Sequence, residues 1–259
     1  MIVVERPIEM PEQDSDNVVV LFKGGRLGTW YELTEKERRD FSQTHVDLML
    51  SVASQYGMRR LEGFRLIGPQ KDWQRFWLIE FPTMQGAEQW IQAEMAPPYG
   101  LYGYYEYQLS RPLEAELFSA WVTDPAPPTV PLTADPHVIS ELWSDTGSVV
   151  VLMFVRYRSG AEALTAAERG DAKHVELMRH LAKQYGLMRL EGFQLITPQN
   201  EWHRAWIIEL PNLEAAEAWI DGEESLPFGR HASRTIHIAR KWSPEYFASW
   251  VPQNEDVVP

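Results

Sequence analysis

The hydrophobic and polar positions of this chain follow one order, and the chain runs through that order twice. Each pass opens with an apolar, Val-rich run, NVVVLFK or SVVVLMFVRY, that is typical of a strand. A helical segment follows, and then come two strands, RLEGFRLI and RFWLIEF in the first pass. A second helix, GAEQWIQAE or EAAEAWIDGE, precedes a fourth strand, YGYYEYQL or SRTIHIAR. The order βαββαβ is that of the ferredoxin-like unit.

The limits of the first helix in each pass are marked by side chains. Thr34 with Glu37, and Thr165 with Glu168, have the spacing of a capping box, which starts a helix. A glycine follows the last apolar position, as expected of a left-handed helix cap. The sequence therefore predicts helices from these boxes to Tyr56 and Tyr185, ended by Gly57 and Gly186.

The two passes are copies of each other. RLEGFRLIGPQ, which begins at Arg60, returns as RLEGFQLITPQ at Arg189, and the matched residues that follow keep a constant spacing of 129. Such self-similarity indicates a duplicated unit. Other pairs at this spacing are His45 and His174, Tyr56 and Tyr185, Trp90 and Trp219, and Trp121 and Trp250.

The duplication predicts both domain limits and architecture. We expect a polar tail over 1–16, a first repeat over 17–122, a Pro-rich linker over 123–146 and a second repeat over 147–253. A four-stranded sheet with both helices on one face leaves its other face bare, and a second sheet can cover it. The predicted fold is α+β, with two ferredoxin-like repeats packed sheet on sheet as an intramolecular barrel.

The composition excludes several classes of binding partner. The net charge is -13 without a Lys/Arg-rich run, which argues against nucleic acid and anionic membranes. Cysteine is absent, so disulfides and thiolate chemistry are excluded. No secretion signal is evident, and we expect a cytoplasmic protein that is a monomer or a homodimer.

One motif on the first helix resembles a known family. In ERRDFSQTHVDLML, Phe41 precedes His45 by four residues, and this arrangement is similar to the EthD-like members of the dimeric α+β barrel superfamily. The second copy, ERGDAKHVELM, keeps His174 but has Gly170 where the aromatic residue would align. The resemblance implies a pocket between sheet and helices for a small apolar or aromatic molecule, and chemistry of the cyclase, isomerase, decarboxylase or monooxygenase kind.

The candidate catalytic residues are His45, His174, Glu62 and Glu191. Each histidine lies on an apolar helical stripe that faces the sheet, where it can be a hydrogen-bonded core residue or a general acid or base. Each glutamate shares a strand face with an arginine two residues before it. That pair can form cross-strand ion pairs, or the glutamate can orient the histidine.

The candidate substrate-binding residues are Arg60, Arg189, Tyr105, Trp77 and Trp206. The two tryptophans occupy matching places on the third strand of each repeat, and Tyr105 belongs to a Tyr-rich fourth strand. Each of these aromatic residues can line a pocket or belong to the core.

Three functions remain open on the sequence. The favoured one is a cofactor-free enzyme that transfers protons through a helix-one histidine, with no metal or cofactor. The first alternative is a haem protein of the chlorite-dismutase-like kind, since two-repeat relatives of the barrel superfamily include haem proteins and one imidazole suffices as a haem ligand. His174, His231 and His237 are its candidate ligands. The second alternative is a non-catalytic ligand-binding or assembly module.

Overall fold

The structure is a computed structural model that describes residues 17–70, 73–113, 120–122, 147–199 and 201–242. The predicted tail over 1–16 and the predicted linker over 123–146 lie outside these residues. Within the described part of the chain, no helix combines the length and the apolar character needed to cross a membrane.

The first repeat has four strands, with a long helix after the first strand and a shorter helix after the third. Its elements are β1 (Val18–Arg26), α1 (Gly28–Glu32), α2 (Glu35–Tyr56), β2 (Arg60–Gln70), β3 (Trp73–Phe81), α3 (Met84–Glu94) and β4 (Gly103–Pro112). A short 3-10 turn, Tyr99–Tyr102, leads into β4.

The second repeat has the same order of elements. They are β5 (Val149–Tyr157), α4 (Ala166–Arg169), α5 (Asp171–Tyr185), β6 (Arg189–Gln199), β7 (Trp202–Leu210), α6 (Leu213–Glu224) and β8 (Ala232–Lys241). The 3-10 turns Ala161–Ala163 and Phe228–His231 lie before α4 and β8.

The predicted helix limits are largely confirmed. Both capping boxes form, and Gly57 and Gly186 end their helices in the left-handed conformation. The second repeat differs at one place, because the predicted continuous helix is broken between α4 and α5. The break lies at Gly170, whose φ of 77° is left-handed and interrupts the helix.

The eight strands close into one barrel in the order β1-β3-β2-β8-β5-β7-β6-β4. Each repeat contributes a four-stranded half, β4-β1-β3-β2 or β8-β5-β7-β6, and antiparallel pairs β2–β8 and β4–β6 join the halves. The predicted fold class, two ferredoxin-like repeats forming an intramolecular α+β barrel, is confirmed.

Alternation along the strands divides the core into three parts. Residues such as Leu21, Phe64, Phe154 and Phe193 fill the inside of the barrel with side chains from both repeats. The alternate residues of each half-sheet point outward and pack against that repeat's helices. Each repeat therefore has an outer layer between sheet and helices, where a pocket can form.

The segment that follows the fourth strand of each repeat also hydrogen-bonds to the other repeat. The Leu113 N–H donates to the Gly192 carbonyl at 2.8 Å, and the Trp242 N–H donates to the Gly63 carbonyl at 2.9 Å. A Cβ on Gly63 would lie 2.5 Å from the Trp242 carbonyl oxygen, so this approach requires glycine. Beyond Leu113, Trp121 packs against the helix-facing core of the second repeat.

Candidate functional site

A large cavity lies in the outer layer of the second repeat. Its volume is about 670 Å³, and its walls come from the outer face of β5–β8 and from α5 and α6. Trp121, from the end of the first repeat, also lines it. The apolar part of the wall is made by Met153, Val155, Val175, Met178, Leu190, Trp206, Ile208, Trp219 and Phe228, together with Trp121.

The sheet side of the cavity has a polar band next to an apolar one. Strand register places Gln194, Arg204, Val155 and Arg234 side by side across all four strands of the half-sheet. Two residues further along each strand, the row becomes apolar apart from a glycine. That second row is Gly192, Trp206, Met153 and Ile236.

His174 lines the helix side of the cavity from α5. Its Nε2 lies 3.5 Å from the Glu223 carboxylate on α6, and its ring stacks on Phe228 with centroids 4.0 Å apart. The other ring nitrogen, Nδ1, is buried and has no hydrogen-bond partner among the described residues. The imidazole that lines the cavity is therefore held at Nε2, and its Nδ1 is an orphaned buried polar atom within the described part of the chain.

The first repeat has the same arrangement of histidine, glutamate and aromatic ring, but only a small cavity beside it. His45 Nε2 lies 3.2 Å from Glu94, and the ring stacks on Tyr99 with centroids 4.0 Å apart. Burial would raise the pKa of Glu94, but His45, Arg26 and Arg75 outweigh that effect and lower the pKa. The cavity beside this pair measures about 20 Å³, room for roughly one water molecule.

Aromatic side chains fill the outer layer of the first repeat. Phe22 stacks on Tyr107 with ring centroids 5.0 Å apart and contacts Tyr105 at 5.7 Å. Trp242 arrives from the second repeat and packs on Trp77 at 5.9 Å. At the matching places the second repeat has Met153 for Phe22, Ile236 for Tyr107, Arg234 for Tyr105 and Leu113 for Trp242.

The four residues predicted on β2 and β6 form a ring of ion pairs between the repeats. Arg189 donates to Glu62 at 2.6 and 3.2 Å and to Glu191 at 2.8 Å. Arg60 donates to Glu191 at 2.9 and 3.0 Å and also bonds Glu62. Burial alone would raise the pKa of Glu62, yet the two guanidinium groups hold it well below 4.5.

This ring corrects one geometric prediction. Glu62 was expected as a possible orienting partner of His45, but its carboxylate binds Arg60 and Arg189, and the carboxylate beside His45 belongs to Glu94. The matching glutamate of the second repeat, Glu191, is likewise held by the two arginines. The ion-pair alternative is the one that the structure shows.

Of the predicted site residues, the structure brings His174 and Trp206 to the wall of the large cavity. His45 and Trp77 border the small cavity of the first repeat, and Tyr105 packs beside it. His231 and His237 lie outside the walls of the large cavity, and His237 is on the barrel-facing side of β8.

Sequence reasoning missed Glu94 and Glu223. The signal was present, because these glutamates are 129 residues apart, as the histidines are. Each also lies one helical turn after the duplicated tryptophan, on the same helix face.

Comparison with known proteins identifies solved structures that have a similar fold. No family model and no curated protein matches the chain. A solved variant of chlorite dismutase from Candidatus Nitrospira defluvii is 14% identical, with a TM-score of 0.66 over 90% of this chain and 94% of its own. The same enzyme in complex with imidazole is 13% identical with a TM-score of 0.64, and a variant in complex with cyanide is 12% identical with a TM-score of 0.66. Both matches cover 90% of this chain and 94% of the other. At these identities the likeness shows the fold alone.

These neighbours revise two predictions. The superfamily fold is supported, but the likeness is to chlorite dismutases and gives no support to EthD-like membership. The prediction that the chain uses no cofactor is corrected, because its structural neighbours belong to the haem proteins among two-repeat barrels. The same likeness favours the haem-protein alternative over the cofactor-free enzyme and shows neither function for this chain.

Proposed function

We propose that the chain is a haem-binding protein of the chlorite-dismutase-like kind, with its site in the second repeat and His174 as the axial ligand. The observation that carries this proposal is the cavity of about 670 Å³ beside an imidazole held by Glu223 and Phe228. The first repeat has the same imidazole and almost no space beside it. The asymmetry predicts one site in each chain.

The size and lining of the cavity suit a large, flat, mostly apolar group. Small-molecule and cofactor sites generally occupy roughly 300–1,000 Å³ and have mainly apolar walls with a few polar groups. Trp206 and Met153 supply apolar surface on the sheet side, and Met178 and Trp219 supply it on the helix side. These walls would exclude water from a bound macrocycle.

The polar groups suit a ligand that carries carboxylates. The cavity is lined by more arginines than carboxylates, in a chain whose net charge is -13. The arginines are Arg156, Arg169, Arg204 and Arg234, and the carboxylates are Asp171 and Glu223. Local positive charge in an acidic protein favours an anionic partner at that place. Haem combines an apolar ring with two propionate carboxylates, and the cavity offers an apolar band next to a cationic one.

His174 has the surroundings of a metal-binding histidine. Ligating histidines usually direct their second ring nitrogen at a carboxylate or carbonyl, which fixes the ring and its tautomer. Glu223 provides such a carboxylate, and stacking on Phe228 fixes the ring plane. When bound, the haem iron would supply electron transfer or the binding of small ligands, as its axial ligand and surroundings dictate.

The neighbouring structures were solved with ligands that agree with this proposal. One chlorite dismutase structure contains imidazole and another contains cyanide. Both molecules are typical ligands of a metal centre. At 12–14% identity these complexes support the proposal without assigning the neighbours' reaction to this chain.

The test is haem titration of the purified protein, followed by absorption in the Soret region. We expect the wild-type protein to bind haem and His174→Ala to lose its axial-ligand spectrum and most of its affinity. His45→Ala is the matched control, because it removes the same side chain from the filled site. Equal spectra for all three proteins, or no Soret change on titration, would reject the proposal.

A further inference from the structure

We propose that Arg234 is a positioning residue that weakens the interaction of Glu223 with His174 and thereby tunes the axial ligand. This inference rests on the proposed haem site. In this role Arg234 acts on His174 through the Glu223 carboxylate. The inference concerns the strength of the ligand, whereas the proposed function concerns its presence.

The geometry places Arg234 and His174 in competition for one oxygen. Arg234 donates from Nη2 at 3.0 Å and from Nε at 3.2 Å, both to Oε2 of Glu223. The same Oε2 is the atom that lies 3.5 Å from His174 Nε2. A normal N–H···O bond measures 2.7–3.2 Å, so the arginine has the close contacts and the histidine the long one.

Burial makes this competition strong. The side chains of His174 and Glu223 are 11% and 12% exposed, and that of Arg234 is 3% exposed. Water therefore screens the three groups poorly, and a charge-assisted contact in such surroundings is strong. A carboxylate oxygen that already accepts two guanidinium N–H bonds is a weaker acceptor for the imidazole.

The first repeat gives the comparison within the same molecule. Tyr105 stands at the place of Arg234, in register with Gly24 as Arg234 is with Val155. There the histidine-to-carboxylate distance is 3.2 Å instead of 3.5 Å. The contact is shorter in the repeat that has tyrosine at this strand position, where Arg26 and Arg75 are the arginines that act on the carboxylate.

The consequence concerns the metal-binding strength of His174. A carboxylate that accepts from the second nitrogen of a ligating imidazole raises the basicity of that ligand. A more basic ligand favours ferric over ferrous iron. By drawing Glu223 toward itself, Arg234 keeps His174 a weaker ligand, which favours the ferrous state.

The test compares Arg234→Leu with Arg169→Leu in haem-loaded protein. Arg169 lines the same cavity and carries the same charge, but its partner is Asp171 at 2.7 Å. We measure the iron–histidine stretching band by resonance Raman and the reduction potential by spectroelectrochemistry. Arg234→Leu is expected to raise the stretching frequency and lower the potential beyond any shift in Arg169→Leu. Equal shifts in both variants would overturn the proposal.

A second readout does not need haem. In the haem-free protein, nitrogen NMR reports which ring nitrogen of His174 carries the proton. Arg234→Leu is expected to increase the share of the Nε2–H form, because Glu223 then accepts more strongly. An unchanged share would overturn the proposal. Failure of the wild-type protein to bind haem would instead overturn the proposed function, and the two outcomes are thus distinguishable.

Arg234→Lys covers the case in which the leucine variant does not fold. Lysine keeps the charge but lacks the two-nitrogen contact with Oε2. Its tautomer share and stretching frequency are expected between those of the wild type and the leucine variant. Values identical to wild type in both measurements would show that the guanidinium contact has no effect on His174.

Discussion

The ring of ion pairs between the repeats allows a prediction with a calculable size. Arg189→Met removes three hydrogen bonds, two to the buried Glu62 carboxylate and one to the partly exposed Glu191 carboxylate. Removing one partner of a buried pair generally costs about 3–5 kcal/mol, because a charge is left buried without compensation. At roughly 2–4 °C per kcal/mol for a protein of this size, the melting temperature should fall by about 6–20 °C.

A second variant separates lost attraction from exposed charge. In Arg189→Met with Glu62→Leu, both members of one pair are gone, and the two-bond pair between Arg60 and Glu191 remains. The double variant should recover most of the stability, to within about 1 kcal/mol of wild type, since a buried pair and an apolar replacement are often nearly equivalent.

The assay is urea unfolding at neutral pH, with the slope of free energy against urea checked for constancy across the variants. The reasoning is refuted if Arg189→Met costs less than about 1 kcal/mol, the usual limit for exposed pairs. It is also refuted if the double variant is less stable than the single one.

Three further predictions concern the pH dependence of stability, the cavity-lining Trp121 and Gly170. The folded-state pKa of Glu62 lies below its usual value of 4.5. The stability that this group contributes is therefore complete above about pH 4.5 and declines as the pH falls toward the folded-state pKa. Unfolding curves at several pH values should show this decline in the wild type and less of it in Glu62→Gln. Trp121→Ala should weaken haem binding in titrations, whereas Trp242→Ala, which trims the first repeat, should leave it unchanged. Gly170→Ala should destabilise the protein in thermal melts more than Gly160→Ala, because both have positive φ but only the former meets a side chain, at 2.3 Å.

The architecture could be predicted because its causes are local or repeated. The helix limits depend on interactions within a few residues, namely the capping boxes at Thr34 and Thr165 and the glycines that end the helices. The duplication predicts that the uncovered face of each sheet packs against the other sheet. The break at Gly170 was missed because glycine is permitted within a helix as well as in the left-handed state.

The site could be predicted only in part. His174 lies on the sheet-facing side of its helix as expected, and Trp206 lines the same cavity. The partner of His174 comes from another helix, and strand order alone does not set that distance. The ring was equally hidden, since Arg60 meets Glu191 across the barrel, 131 residues away. The difference in cavity volume depends on several side chains that pack together, among them Phe22 and Trp242.

The central claim is that one repeat holds a haem site and the other does not. The most direct measurement is the mass of the native protein after haem titration, with free haem removed. The account predicts one haem in each chain, because a cavity of about 670 Å³ accompanies His174 and one of about 20 Å³ accompanies His45. A bare chain mass would contradict the haem site, and two haems in each chain would contradict the asymmetry between the repeats.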